Sequence, residues 1–147
     1  MSIRIHELGH IVLYVSSLTR SADFYKHILG SKELHRVLHT AFFSAGRTHH
    51  AMLLIEVGGH PIEKAHPTPG LYHIGFKIGN TDEELKDALH ELSKHGVPVV
   101  GTADHHVTHS VYILDPDNNE LELYIDVDDS WKHDTKKLLQ PAKRISL

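Results

Sequence analysis

Apolar and polar positions alternate along much of this chain, interrupted by stretches with helical spacing, and the order of elements occurs twice. Leu8–Val15 (L-G-H-I-V-L-Y-V) predicts a strand. Leu18, Ala22, Tyr25, Ile28 and Leu29 fall at helical spacing and predict a helix over Thr19–Leu29, with Gly30 as its stop. Weaker strand signals follow at about Glu33–Leu38, Ala41–Ala45 and His49–Val57, and Gly58-Gly59 ends the pattern. His60–Gly70 carries three prolines and reads as a linker. Leu71–Ile78 then predicts a strand. Thr81–His95 predicts a helix opened by a capping box of Thr81 and Glu84, closed by Gly96, with Leu85, Ala88, Leu89 and Leu92 on its apolar face. A short strand at Val99–Thr102 precedes a hairpin, Val111–Asp126 (V-Y-I-L-D-P-D-N-N-E-L-E-L-Y-I-D). In its turn Pro116 fixes one φ, and Asn118 or Asn119 takes a positive φ at modest cost.

Leu8-Gly9-His10-Ile11 lines up with Leu71-Tyr72-His73-Ile74, each followed by one helix and then strands. The expected fold is therefore α+β: paired βαβββ modules, about 7–58 and 71–126, in one domain with a linker at 59–70 and a tail at 127–147. Each helix would cover the outer face of a curved mixed sheet, and the two sheets would close into a cup. Parity gives the inner face: Leu8, His10, Val12, Tyr14; His50, Met52, Leu54, Glu56; Leu71, His73, Gly75, Lys77; and Glu120, Glu122, Tyr124. Ser110, Tyr112 and Leu114 oppose the apolar side of the hairpin's first run.

Composition narrows the function. The chain has 147 residues, 40% apolar and 23% charged, normal for a globular domain. A net charge of −4 with no basic cluster argues against nucleic acid and against an anionic membrane surface. The apolar runs are too short to span a bilayer, and Met1–His6 does not read as a signal peptide. Without cysteine, thiolate metal sites and disulfides are excluded, which fits a cytoplasmic protein. The unusual number is 16 histidines, dispersed along the chain. His27, His90 and His95 fall at polar helix positions, and His35, His39, His60, His66 and His133 in loops or edges.

His10, His73 and Glu122 come from corresponding parities of three strands. Two imidazoles and a carboxylate on one face of an octahedral ion leave other positions open, which suits non-haem Fe(II), with Mn(II) next. The competing reading is three isolated polar residues on strand faces.

These stretches resemble the vicinal oxygen chelate superfamily, over about Glu7–Asp126. L-G-H-I-V-L-Y-V, L-Y-H-I-G-F and Y-I-L-D-P-D-N-N-E-L-E-L-Y carry the likeness. Within it the chain is similar to extradiol, catechol 2,3-dioxygenase-like enzymes. Arg47-Thr48-His49-His50-Ala51-Met52-Leu53-Leu54 resembles a strand whose second His is an acid/base, here His50. Asp104-His105-His106-Val107-Thr108 resembles a D-H-G-V-S segment, which implicates His105, and Tyr112 matches a tyrosine that precedes the D-P turn. Asn118 and His106 stand where the pattern has Gly. The resemblance implies paired modules, a metal on His10, His73 and Glu122, ring cleavage of an aromatic diol with O2, and a homodimer; Trp131 and the polar tail Asp126–Asp134 would close the mouth. Two rivals share the fold. If Glu56 were a fourth ligand, the site would resemble a glyoxalase-type isomerase or epimerase using Ni(II), Zn(II) or Co(II) as a Lewis acid. The other is a non-catalytic drug-binding protein. A phosphonate-directed thiol transferase would need more cations than Lys77, which stands alone on that face.

Overall fold

A computed structural model describes residues 3–63 and 67–145; Met1, Ser2, His66 of the expected linker and the last two residues of the tail lie outside them. The chain divides into two compact units, Met1–Pro61 and Ile62–Leu147.

The first unit contains β1 (Ile11–Val15), α1 (Leu18–Asp23), β2 (Glu33–Val37), β3 (Thr40–Phe43) and β4 (Met52–Glu56). The second contains β5 (His73–Gly79), α2 (Asp82–Lys94), β6 (Val99–Asp104), β7 (Thr108–Leu114) and β8 (Glu120–Asp126). Each unit is a βαβββ module with the same strand order, β1-β4-β3-β2 and β5-β8-β7-β6. The outer pairs β1–β4 and β5–β8 are parallel, and the other pairs are antiparallel. The helix in each module makes the crossover that a parallel pair requires.

Leu85 and Leu92 of α2 are buried, with Ile74, Val111, Ile113, Leu121, Leu123 and Ile125 of the sheet forming the second core. Thr81 Oγ1 accepts from Glu84 N, and the Glu84 carboxylate accepts from Thr81 N, so the capping box is present. The first helix departs from its expected form. It is regular only to Asp23 and continues as a π-turn over Phe24–Ile28, with Leu29 N bonded to Phe24 O. The wider turn keeps both Phe24 and Tyr25 on the buried side, their rings edge to face at 5.4 Å.

A larger departure concerns β4. Val12 is in register with Leu53, and Leu13 with Leu54. Leu13, Met52 and Leu54 are buried, whereas Val12 is exposed. Met52, Leu54 and Glu56 therefore lie on the helix side, and Leu53 and Ile55 share the open face with Val12 and Tyr14. The backbone from Ser44 to Ala51 is irregular, and a break of one residue inverts every later side chain.

The hairpin turn is held by Asp115. Its Oδ1 accepts from Asp117 N and Asn119 N, and its Oδ2 from Asn119 Nδ2. Asn118 is the residue with positive φ, at 65°.

Candidate metal-ligating site

In the second unit, parity reads correctly. His73, Gly75 and Lys77 are in register with Glu120, Glu122 and Tyr124, and across β7 Glu122 faces Tyr112 while Tyr124 faces Ser110. Paired residues project to the same face, so these side chains share the face opposite α2. Gly75 leaves room there: a Cβ on it would come within 3.5 Å of Glu122 Oε2.

The Glu122 carboxylate is held from two directions. Ser110 Oγ donates to Oε1 at 2.6 Å, and the Tyr112 hydroxyl donates to the same oxygen at 3.2 Å. Oε2 faces His73 Nε2 at 3.2 Å. His105 Nε2 is 3.0 Å from the Tyr112 hydroxyl oxygen. Since the phenol spends its proton on Glu122, the consistent arrangement has His105 donating through Nε2–H. Burial, with the Glu122 charge second, pushes the Tyr112 phenol up to about 12, so it remains a donor. The Tyr72 phenol is also raised, chiefly by its hydrogen bond to Glu120, and Tyr124 is raised by burial and then by Asp126.

His105, and not His106, joins this network. His106 takes a φ of 67°, its backbone N–H donates to Asp104 Oδ1 at 2.7 Å, and its Nε2 lies 3.2 Å from Pro141 O. Both positions where Gly was expected, Asn118 and His106, thus have positive φ. Lys77 Nζ lies 2.6 Å from Asp126 Oδ2. Trp131 is exposed, in a short 3-10 turn over Ser130–Lys132.

His10 and His50 belong to the first unit. Their rings are 4.5 Å apart, with the exposed His49 beside them and His50 Nδ1 2.6 Å from His49 Nδ1. Phe42 packs edge to face on His50 at 5.7 Å. Partial desolvation, then His49 and His10, hold the His50 imidazole below its ordinary range. Among the described residues no three His, Asp or Glu side chains already form a group able to hold a metal ion.

Glu56 is not on the face assigned to it. Its Oε2 accepts from Leu18 N at 2.7 Å, at the start of α1, and its Oε1 lies 3.0 Å from His39 Nδ1. It is a helix-capping carboxylate, and the four-ligand arrangement that required it loses its support. Parity alone places Ser110 on this face, but a serine on a strand face carries no functional signal until its partner is known.

Residues 7–123 match the Glyoxalase/Bleomycin resistance protein/Dioxygenase superfamily. The chain is similar to the catechol-2,3-dioxygenase of Bacillus subtilis (strain 168), 32% identical over 134 residues, covering 88% of this chain and 46% of the relative. It is similar to biphenyl-2,3-diol 1,2-dioxygenase 3 of Rhodococcus globerulus, 32% identical, covering 81% of this chain and 63% of the relative. The chain thus spans about half the length of the first of these curated relatives and less than two thirds of the second. A glyoxalase/dioxygenase crystal structure from Nostoc punctiforme has the same fold, with a TM-score of 0.69, 21% identity, and coverage of 87% of this chain and 99% of that one. No helix among the described residues is long and apolar enough to cross a membrane.

Proposed function

We propose that this chain, which belongs to the Glyoxalase/Bleomycin resistance protein/Dioxygenase superfamily, acts as an extradiol ring-cleaving dioxygenase on a catechol-type aromatic diol with O2, using Fe(II) on His10, His73 and Glu122. The observation that carries the reading is the His73–Glu122 pair. Two donor atoms on adjacent corners of one ion, each about 2.1 Å from it, stand about 3.0 Å apart. His73 Nε2 and Glu122 Oε2 stand 3.2 Å apart. An imidazole and a carboxylate at that spacing fit a divalent metal, and the relatives named for aromatic diols favour iron chemistry.

Fe(II) held by His10, His73 and Glu122 would supply a Lewis-acidic, redox-active centre for the diol oxygens and O2. The protein's part is positional and protonic. Ser110 and Tyr112 occupy Oε1 of Glu122, which leaves Oε2 as the ligating oxygen. Tyr112 and His105, hydrogen-bonded to each other beside that ligand, would redirect a proton toward substrate oxygen once it is bound. His50 moves the proton. With Nδ1 engaged by His49, its Nε2 is the atom for transfer, and its lowered pKa keeps it neutral near pH 7, ready to take the diol proton and return it during bond cleavage. Geometry requires that Nε2 come within about 3 Å of the oxygen it serves.

The test is anaerobic loading with Fe(II) followed by catechols and air. Oxygen uptake with a yellow ring-opened product is the expected result. A chain that takes up metal, consumes no oxygen with any catechol and instead isomerises a hemithioacetal under Ni(II) would require the isomerase reading.

A further inference from the structure

His73 Nδ1 is buried and has no hydrogen-bond partner among the described residues. An imidazole that gives its Nε2 lone pair to a cation must carry its proton on Nδ1, and a buried N–H without an acceptor is unfavourable. Glu120 Oε1 lies 3.9 Å from that nitrogen. His73 and Glu120 are register partners on adjacent parallel strands, so both side chains rise from the same face. The terminal torsion of a glutamate is soft, and a rotation closes such a gap without moving the backbone. The Tyr72 hydroxyl bonds to Glu120, and its ring stands against the His73 ring at 4.6 Å.

We infer that Glu120, braced by Tyr72, is the positioning residue for His73: its carboxylate accepts the Nδ1 proton and fixes the tautomer that leaves Nε2 free for a divalent cation. The inference rests on the metal reading above. A carboxylate on the far nitrogen also makes the imidazole a stronger ligand. The first unit lacks this carboxylate at the matching place. Ile11 corresponds to Ile74, and Ile11 pairs with Met52 as Ile74 pairs with Leu121. Ala51, which precedes Met52, therefore takes the place of Glu120 and offers no side-chain acceptor to His10.

Anaerobic titration of the whole chain with Co(II), followed by its visible absorption, measures affinity apart from turnover. Glu120→Leu is expected to weaken Co(II) binding on the order of 10- to 100-fold. Glu120→Gln, which keeps an acceptor of the same shape and loses the charge, should fall between it and wild type, and Tyr72→Phe should weaken binding least. The apo thermal midpoint of the Gln variant should match wild type, as a merely structural role would not predict. Wild-type affinity in both Glu120 variants, with binding still abolished by His73→Ala, overturns the role of Glu120 and leaves the metal reading standing. A wild-type chain that takes up no Co(II) overturns the metal reading, and this inference with it.

Discussion

The two units have the same strand order, yet their open faces differ in chemistry. In the second, Glu122 sits opposite Gly75, with Ser110 and Tyr112 holding one of its oxygens. The corresponding pair in the first unit is Val12 and Leu53. Where the second unit places Glu120, Glu122 and Tyr124 along its fourth strand, the first places Leu53 and Ile55 on β4, with Ala51 just before it. The acidic residue of β4, Glu56, serves the helix start on the other side of the sheet. One architecture thus supports a polar wall in one copy and an apolar wall, with histidines gathered at its end, in the other. Duplication fixes where a side chain is aimed, and each copy decides separately what stands there.

The largest expected effect tests this asymmetry directly. Glu122→Ala should lower Fe(II)-dependent oxygen uptake with catechol by at least about 100-fold, whereas Leu53→Ala, at the matching place, should change it little. Equal losses would mean that the two walls are not functionally distinct. A second comparison lies within β4. Leu54 is fully buried on the helix side, so Leu54→Ala should cost about 2–5 kcal/mol in urea unfolding. Leu53→Ala should cost about 1 kcal/mol. The reverse order would restore the parity counted from His50.

That parity shows what the sequence could and could not disclose. β7, β8 and their turn form an uninterrupted run, so counting by twos assigned Glu122, Tyr112 and Ser110 to one face correctly. The capping box of α2 and the repeat at His10 and His73 were equally local signals. Counting failed in β4 because the irregular stretch before Met52 absorbs a residue, and nothing in Arg47–Ala51 marks where the strand resumes. The pairing of Lys77 with Asp126 was also hidden, since it joins strands 49 positions apart in sequence. His105 and His106 could be told apart only by backbone conformation: the positive φ of His106 turns its side chain toward Pro141 and leaves His105 to meet Tyr112.

Helix starts extend the comparison to a smaller scale. α2 caps itself through Thr81 and Glu84, so Thr81→Ala should cost about 1 kcal/mol by urea unfolding. In α1 the Ser17 hydroxyl makes a long contact, 3.4 Å from Arg20 N, while Glu56 from β4 takes the Leu18 amide at 2.7 Å. Ser17→Ala should therefore cost less than Thr81→Ala, because a strand residue carries part of the cap. A larger cost at Ser17 would place the capping of α1 in the hydroxyl.

The smallest effect is a pH dependence, and its sign follows from the same contacts. The Leu18 amide, then the His39 hydrogen bond, lowers the Glu56 pKa below its ordinary 4.5, and the Asn80 amide followed by Thr81 does the same for Glu84. Between each lowered value and 4.5 the unfolded chain binds more protons than the folded one, so stability rises with pH through that window. The contribution is complete above the unfolded value and is lost as pH falls through the folded one. Urea midpoints measured from about pH 6 down to about pH 3 should therefore show Glu56→Gln and Glu84→Gln less stable than wild type at the upper end, with each gap closing toward the lower. A gap that stays constant across the range would mean that the carboxylate charge takes no part in holding either helix start, and that the two caps differ only in which residue supplies the oxygen.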